Sequence, residues 1–566
     1  MKYFVTGAGG FVGVQLCRAL VAKGNVVSAL VHRFVPGELE LLGVRLCRGS
    51  VEHFESYRAE LMDSDYVVHL AGYARYGNGP QYRVANVEMT ACLIRAVKEY
   101  GARVKRVVFV STVGAVDRSP TDPCRVPLTE STPPLPTSDY GRSKLEAEQL
   151  VAGSGIPFSI IRPTMVVGNE MRVNSHVAVF AKAALTGSLL GRVSWTGTFS
   201  VIHVSDLAEG IVVAAEHPDT LGQILFAAGE SVKIRDILEW AAPGVFRFSV
   251  GWLAYLLRAA PSIVPFSGKV MLYPALTAND QILRTLGWMP RWSGKQAIAE
   301  VIKREKRRVN PSLPLAGKTV VTGAASGLGL ALTKQLGKMG RRLILIDRDK
   351  VGLEAVASGL SNCVTVCCDL GDAAAVERLL SNPIWLQEPI DELFACAGFG
   401  LRGTVATLPL EAQSDMFRVN VVSRLQLMHR LVQNMRRRQF GRIVLISSSS
   451  AYQALPFMAV YAASNAAVKL LGEAMAAELQ EEGIEVLTVC PGGMQTGFQK
   501  RAQVQELPNE NLALPEKVAA EILAALGRNR VLIMPSTRSK AMSLAARLLP
   551  QRVSLAIWYR LMGKFR

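Results

Sequence analysis

Several features are missing from this sequence. It has no uninterrupted apolar run of 18 residues, no C-x-x-C pair and no histidine-rich cluster, although it is 49% hydrophobic over 566 residues. The first absence argues against a membrane-spanning helix, because such a helix needs about 20 mostly apolar residues. The others, with an odd count of nine cysteines, favour reduced thiols over a disulfide framework or a zinc site. We predict no metal site.

Acidic residues are also scarce relative to basic ones. The chain has 46 Asp and Glu against 64 Lys and Arg, a net charge of +18. Such a charge favours anionic partners, whether phosphate cofactors, acidic lipids or nucleic acid. The basic run KREKRRVNPSLP, residues 303–314, contains no aromatic residue and two prolines, so we interpret it as a solvated linker and predict no nucleic-acid partner.

One pattern occurs twice in the chain. KYFVTGAGGFVG near the N-terminus and KTVVTGAASGLG from Lys318 each combine an apolar strand, a Thr-Gly turn and a helix start. Short Val/Ile/Leu runs alternate with longer helical patterns in both halves, which predicts parallel sheets with helices on both faces. We therefore predict an α/β protein with two Rossmann-like, doubly wound domains in tandem, 1–310 and 311–566. The opening strand leaves no room for a signal peptide, so we expect a cytoplasmic protein.

Glycines dominate the first turn. Gly7, Gly10 and Gly13 allow a tight turn, a close approach of the backbone to a pyrophosphate, and close packing of helix on strand. The next strand ends at His32 and Arg33, where an acidic residue would hold the ribose hydroxyls of NAD. A basic residue there suits the extra phosphate of NADP, and we predict NADP for the first domain.

A tyrosine and a lysine are spaced one helical turn apart in Tyr140-Gly-Arg-Ser-Lys144. Both side chains should lie on one helix face, where an ammonium can lower the pKa of a phenol. Such a phenol can exchange a proton with an alcohol or a ketone, the acid/base half of hydride transfer. Ser111 and Thr112, at the end of an earlier strand, offer hydroxyl groups to the same site.

These motifs, with VVHLAG ending at Gly72 and Arg162-Pro163, resemble the extended short-chain dehydrogenase/reductase family over nearly all of residues 1–305. The nearest likeness is to the 3β-hydroxysteroid dehydrogenase branch, and the NAD-dependent epimerase/dehydratases are similar. The resemblance implies that Tyr140 is the acid/base, that Lys144 lowers its pKa and binds the nicotinamide ribose, and that Thr112, or alternatively Ser111, bonds the substrate oxygen. Ser50 departs from the family's usual aspartate near the adenine. Further cofactor contacts implied by the resemblance are Phe11, Val12, Ala71, Gly72 and Asn86.

The second half resembles the compact branch of the same superfamily. Asp347, at the end of the strand RRLILID, favours NAD through its ribose hydroxyls. The resemblance implies that Ser448 and Tyr461 stand at the catalytic positions and Asn420 at the position that organises a proton-relay water. It further implies cofactor contacts at Gly323, Ser326, Gly327, Leu328, Gly329, Asp369, Leu370, Ala397, Gly398 and Tyr461.

The lysine of the second half is missing. Asn465 stands four residues after Tyr461, and a neutral amide cannot lower a phenol pKa as an ammonium does. Lys469 is two turns beyond Tyr461 on the same face. We interpret this half as impaired, with slow turnover and a purely structural role as alternatives. The two copies could also form a pseudo-dimer within one chain, or the chain a homodimer.

Two stretches bear on the substrate. Residues 246–266 carry no acid and many large apolar groups, which suits a bulky apolar pocket, a bilayer surface or a buried core helix. The segment 538–566 has seven basic residues and no acid, which suits either an in-plane helix on the anionic inner face of a membrane or a helix packed on its own domain. We predict an oxidoreductase acting on a lipid-like substrate, with a nucleotide-sugar epimerase/dehydratase and a non-catalytic nucleotide-sensing scaffold as alternatives.

Overall fold

The computed structural model describes residues 1–32, 37–74, 79–117, 126–249, 271, 277–382, 385, 388–498, 512–537, 539–541 and 548–563. The chain divides into two compact units, Met1–Glu305 and Lys306–Arg566. Each unit has its own sheet and its own buried apolar clusters, and each is described by itself.

A seven-stranded sheet forms the centre of the first unit. Its order is β10-β6-β5-β4-β1-β2-β3, and every neighbouring pair is parallel. Its strands are β1 (Lys2–Thr6), β2 (Val26–Val31), β3 (Arg45–Arg48), β4 (Tyr66–His69), β5 (Arg106–Val110), β6 (Phe158–Pro163) and β10 (Ile224–Ala227). Two smaller sheets contain β7 (Met165–Val167), β8 (Val193–Ser194), β9 (Thr198–His203), β11 (Ser231–Lys233) and β12 (Phe248–Ser249).

Helices cover both faces of this sheet because its strands are apolar on both sides. The α-helices are Phe11–Ala22, Gly37–Leu41, Arg58–Met62, Gly79–Tyr82, Met89–Tyr100, Asp139–Ala152, His176–Thr186, Val204–Glu216, Ile234–Ala241, Gln281–Thr285 and Gly294–Val309, with a π-helical turn at Arg83–Glu88. Short 3₁₀ turns occur at Phe54–Ser56, Val113–Ala115, Leu189–Arg192 and Pro218–Thr220.

The second unit repeats the plan with strands β13 (Lys318–Thr322), β14 (Leu343–Asp347), β15 (Cys363–Cys367), β16 (Ile390–Ala395), β17 (Gly441–Ile446), β18 (Ile484–Val489) and β19 (Leu532–Ile533). They form a parallel sheet in the order β15-β14-β13-β16-β17-β18-β19. Its α-helices are Gly327–Lys338, Lys350–Ala357, Ala373–Leu380, Leu410–Phe417, Ser423–Arg437, Ala459–Leu479, Pro515–Ala525 and Gln551–Gly563, with a π-helical turn at Arg418–Val422 and 3₁₀ turns at Ser449–Tyr452 and Gln480–Glu482. The prediction of two doubly wound parallel-sheet folds in tandem is confirmed.

The basic run that we interpreted as a linker is largely helical. The helix Gly294–Val309 continues through it, and Arg304 and Glu305 are buried. The Arg304 guanidinium donates to the carbonyls of Asn169 and Met171 at 2.6 and 2.5 Å. The helical periodicity of this segment therefore predicts its structure better than its charge does. Arg304 can be buried because it donates to backbone carbonyls when the helix packs. Only residues 310–317 connect this helix to β13 without regular structure.

Among the described residues, no helix combines the length and the apolar character needed to cross a bilayer.

Candidate functional site

The glycine turn of the first unit leaves no room for side chains. Gly7 has φ +70°, and a Cβ there would lie 2.6 Å from the Ala71 nitrogen. A Cβ on Gly13 would lie 2.4 Å from the Gly7 oxygen. The helix Phe11–Ala22 begins after Gly10, which has no side chain that could accept a hydrogen bond from the first N–H groups of the helix. Free N–H groups at a helix start, reached across bare backbone, fit a pyrophosphate.

The second unit has the same construction. Gly323 and Gly327 have φ +67° and +53°, and a Cβ on Gly329 would lie 2.0 Å from the Gly323 oxygen. Ser326 caps the helix Gly327–Lys338 without a side-chain hydrogen bond. A cavity of ≈ 560 Å³ opens from this turn. Its lining includes every cofactor residue predicted for this half: Gly323, Ser326, Gly327, Leu328, Gly329, Asp347, Asp369, Leu370, Ala397, Gly398 and Tyr461.

The acidic group that favours NAD is held beside this turn. Asp347 accepts hydrogen bonds from the backbone nitrogens of Ala325 at 3.0 Å and Asp349 at 3.1 Å. Its counterpart in the first unit, Arg33, lies outside the described residues. Ser50, also in the first unit, has its hydroxyl 3.3 Å from a Glu52 carboxylate oxygen.

A π-helical turn, Arg83–Glu88, positions Asn86 in the first unit. The Asn86 side chain accepts from the Tyr73 nitrogen at 2.8 Å and donates to the Tyr73 oxygen at 3.2 Å. It also donates to the Ser143 hydroxyl at 3.0 Å. Asn86 thus ties the loop after β4 to the helix that carries Tyr140.

Asn420 makes the equivalent contacts in the second unit, again from a π-helical turn, Arg418–Val422. Its side chain accepts from the Phe399 nitrogen at 3.1 Å and donates to the Phe399 oxygen at 3.0 Å. It donates to the Ser464 hydroxyl at 3.0 Å. The two halves therefore correspond atom by atom at this point, which provides an internal reference for the rest of each site.

The two hydroxyls after β5 have different surroundings. The Ser111 hydroxyl donates to Glu148, a buried carboxylate that Arg162 also contacts at 2.9 and 2.5 Å. Thr112 instead accepts a hydrogen bond from the Gly114 nitrogen at 3.2 Å, and its hydroxyl acts to lower the pKa of the Tyr140 phenol. Ser111 is committed to the Glu148 cluster, so Thr112 is the better candidate for contact with a substrate oxygen. Ser448 accepts from the Ser450 nitrogen at 3.1 Å and acts on the pKa of the Tyr461 phenol in the corresponding way.

Lys144 is buried, and its ammonium donates to the carbonyl of Val110, the last residue of β5, at 2.9 Å. It lies 4.7 Å from the centre of the Phe109 ring. Burial lowers the pKa of Lys144 to about 8, and the Glu148 carboxylate opposes that shift. The ammonium is thus anchored at the strand end and stabilised by an acid one turn further along its helix.

The prediction that the Tyr140 pKa is lowered does not hold in this arrangement. The pKa of Tyr140 is raised to about 12, first by burial and second by Tyr82, and the Thr112 hydrogen bond only partly offsets this. The physical reason is that the phenol is buried, and the Tyr82 ring 5.6 Å from that of Tyr140 adds to the effect.

Asn465 and Lys469 do not supply the missing cation in the second unit. The Asn465 amide donates to the backbone oxygen of Tyr461 at 2.9 Å. Lys469 is paired with Glu473 at 2.8 Å and lies over the Tyr452 ring. Burial raises the pKa of Tyr461, and the hydrogen bond from Ser448 and the charge of Arg424 act in the opposite direction. Sequence reasoning missed Arg424, because an arginine within a helix matches no motif.

The cavity of the second unit extends beyond the cofactor residues into an apolar region. The helix Gln551–Gly563, from the basic tail, contributes Trp558, Leu561 and Met562 to its lining. Trp558 and Met562 pack with a cluster of Leu455, Met458 and Ala462. This helix packs on its own domain, which is one of the two interpretations of the tail, and its contact with a membrane stays a prediction. The segment 246–266 falls mostly outside the described residues, so its predicted roles stay predictions.

Each unit has a glycine turn that fits a dinucleotide, a hydroxyl group at a strand end, and a tyrosine. This combination is that of a nicotinamide-dependent oxidoreductase. The family model for NAD dependent epimerase/dehydratases matches residues 3–229, and that for short chain dehydrogenases matches residues 318–507. The chain belongs to the short-chain dehydrogenase/reductase family. It is an NAD(P)-dependent oxidoreductase that binds a nicotinamide dinucleotide.

The chain is similar to several individual proteins. Ketoacyl reductase HetN of Nostoc sp. is 30% identical over 218 residues, which cover 38% of this chain and 76% of that protein. A ketoreductase from Stigmatella aurantiaca, named for a farnesyl dihydroquinoline oxide, is 29% identical over 249 residues, covering 42% and 71%. A solved short-chain dehydrogenase from Sphingobium yanoikuyae in complex with NADPH is 24% identical, covers 42% of this chain and 94% of its own, and has a TM-score of 0.37.

Proposed function

We propose that the first unit transfers hydride between NADP and the hydroxyl or ketone carbon of a lipid-like substrate. Tyr140 is the acid/base, Thr112 bonds the substrate oxygen, and Lys144 provides the positive charge. The observation that carries this proposal is that the helix start bearing Tyr140 packs on the turn after Thr112, where a Cβ on Gly141 would lie 2.2 Å from the Gly114 oxygen, at the strand end where Lys144 is anchored. A bound reduced nicotinamide would supply the hydride.

The protonation state of Tyr140 favours reduction over oxidation. A phenol with a pKa raised to about 12 remains protonated at neutral pH. It can give its proton to a ketone oxygen as the carbon becomes an alcohol, while Thr112 holds that oxygen. Solvent then reprotonates the phenolate, and the Lys144 ammonium stays anchored on the Val110 carbonyl at the end of β5.

A lipid-like substrate of the first unit is supported by the acid-free, apolar composition of residues 246–266. Two relatives of the chain carry the words ketoacyl and farnesyl in their names. Phe246 and Phe248, the described aromatic residues of that segment, are 75% and 57% exposed. The second candidate is a nucleotide-sugar epimerase or dehydratase, which the family model matching residues 3–229 favours. Such a substrate would need cationic groups for its diphosphate.

Oxidation of NADPH by full-length protein carrying Tyr461→Phe isolates the first unit. We expect NADPH oxidation with a 3-ketosteroid or a long-chain 3-oxoacyl thioester, and no epimer or dehydrated product from UDP-glucose, which is followed by chromatography because those reactions consume no NADPH. Tyr140→Phe should lower the rate by about 10²- to 10⁴-fold, the usual contribution of a positioned acid. Tyr100→Phe, which removes a hydroxyl bonded to Glu99 at the exposed end of another helix, is the matched control. Conversion of UDP-glucose alone would favour the second candidate.

A further inference from the structure

Both halves have a cation at the same place relative to a strand end and a loop glycine, but different residues supply it. In the first unit, the Lys144 ammonium donates to the carbonyl of Val110, the last residue of β5, and lies 3.6 Å from where a Cβ on Gly72 would be. In the second unit, a guanidinium donates to the carbonyl of Ile446, the last residue of β17. That guanidinium belongs to Arg424.

A second contact places Arg424 at the same point. Its Nη2 lies 3.0 Å from where a Cβ on Gly398 would be, and it donates to the Ala397 carbonyl at 2.6 Å. Gly398 corresponds to Gly72, because each lies in the loop immediately before the residue that its unit's asparagine holds. Two independent neighbours, a strand-end carbonyl and a loop glycine, thus locate both cations alike.

The cation has moved from one helix to another. Lys144 lies one turn after the catalytic tyrosine of its unit, where the second unit has Asn465. Arg424 lies one turn after Asn420, where the first unit has Thr90, whose hydroxyl donates to the Asn86 carbonyl at 2.6 Å. At the two corresponding positions, the first unit therefore has Thr90 and Lys144, and the second unit has Arg424 and Asn465.

We propose that Arg424 takes the place of the missing lysine and that Asn420, Ser448, Tyr461 and Arg424 form a second catalytic centre. The Arg424 side chain is 4% exposed and lines the cavity together with the other three. An arginine suits the longer path from the neighbouring helix, because its forked donors bind both carbonyls and still present charge to the phenol. Lys469 cannot do this, since Glu473 holds it.

The electrostatics agree with this geometry. The charge of Arg424 lowers the pKa of Tyr461, against the effect of burial. Burial lowers the pKa of Arg424 itself to about 10, so the group is still cationic at neutral pH. The second unit is therefore not impaired by the loss of a lysine, in contrast to the expectation from its sequence.

The substrate class follows from the rest of the cavity. Beyond Tyr461, its lining includes Phe498, Leu455, Met458, Trp558 and Met562. These side chains suit a bulky apolar ketone or alcohol. In reduction, the ketone carbon accepts hydride from the reduced nicotinamide and its oxygen accepts the Tyr461 proton, which gives the alcohol, the oxidised cofactor and a phenolate that solvent reprotonates.

The test moves the positive charge of the second unit from position 424 to position 465, which corresponds to Lys144 in the first unit. Full-length protein with Tyr140→Phe carries either Arg424→Thr with Asn465→Lys or Arg424→Thr with Asn465→Met. These double variants have side chains of similar length at 465 and differ only in charge. Tyr461 ionisation is followed by ultraviolet difference spectroscopy against a matched Tyr461→Phe protein, and NADH and NADPH are titrated into each.

We expect the lysine variant to keep the Tyr461 pKa near that of the parent, and the methionine variant to raise it by about 1 to 3 units, as loss of a nearby opposite charge does. Nucleotide affinity should fall about tenfold in the methionine variant and recover with lysine. Arg418→Met, which removes an exposed arginine paired with Asp415, is the control and should change neither.

The proposal is overturned if the methionine variant has the ionisation and nucleotide affinity of the parent, because Arg424 would then only satisfy backbone carbonyls. It is also overturned if the lysine and methionine variants show equal changes. Circular dichroism of both double variants checks the fold, and Arg424→Lys, which keeps a charge at the site, replaces them should both unfold. Retention of the parent pKa in Arg424→Lys supports the proposal, and a rise equal to that of Arg424→Met contradicts it.

Discussion

Glu148→Gln tests the buried cluster that supports Lys144. Glu148 and Arg162 are 3% and 4% exposed and joined by two hydrogen bonds, so the variant leaves a buried guanidinium without its counter-charge. Removing one partner of such a buried pair lowers the free energy of unfolding by about 3 to 5 kcal/mol. Glu146→Gln is the matched control on the same helix, because Glu146 and Arg83 are 41% and 59% exposed. That change should cost at most about 1 kcal/mol.

Hydrogen–deuterium exchange of peptides from β5 and β6, which lie only in the first unit, measures the two free energies of opening. Equal losses in the two variants would refute the reasoning. A second readout is the pH profile of NADPH-dependent reduction. Glu148 raises the pKa of Lys144, so its removal should lower that pKa further. Activity that needs the ammonium should then decline at lower pH than in the parent; an unchanged profile would mean that Glu148 does not act on Lys144.

Three further predictions follow from the charges and the tail. With Tyr461→Phe, reduction by the first unit should decline as the pH rises through about 8, because Lys144 loses its proton there. With Tyr140→Phe, reduction by the second unit should decline only as the pH nears the Arg424 pKa of about 10; coincident profiles would contradict the assignment of the two cations. Arg33→Asp should raise the NADPH dissociation constant by the loss of a contact worth about 1.5 to 3 kcal/mol, measured by fluorescence titration, and an unchanged constant would remove the role given to Arg33. A chain ending at Ser536 should lose salt-sensitive sedimentation with anionic vesicles and should bind apolar substrate less tightly, because Trp558 and Met562 leave the cavity lining; full-length protein that ignores such vesicles at low salt would refute the membrane contact.

Local motifs made much of this molecule predictable from its sequence. The glycine turns, the strand-end hydroxyls and the tyrosines each depend on spacing within a few residues of chain, and the alternation of strand and helix patterns predicts the two parallel sheets. Asn420 and Ser448 are found in the same way, from short stretches that follow a strand or lie within a helix.

Properties that depend on contacts between distant segments could not be predicted in this way. Arg424 is 22 residues from the carbonyl it binds, and Ser111 is 37 residues from Glu148. The charges in residues 303–309 resemble those of a linker, but burial of Arg304 against distant carbonyls makes the segment helical. The direction of the Lys144 ammonium also depends on which acceptor the folded chain presents, and the raised pKa of Tyr140 depends on its burial in the folded chain.

Nucleotide stoichiometry tests the central claim most directly, because it needs no knowledge of the substrate. Native mass spectrometry of the full chain with saturating NADPH and NADH should show two nucleotides bound per chain, one for each glycine turn. A maximum of one nucleotide would contradict the account of two complete oxidoreductase units, and a chain that binds none would contradict the assignment of both sites.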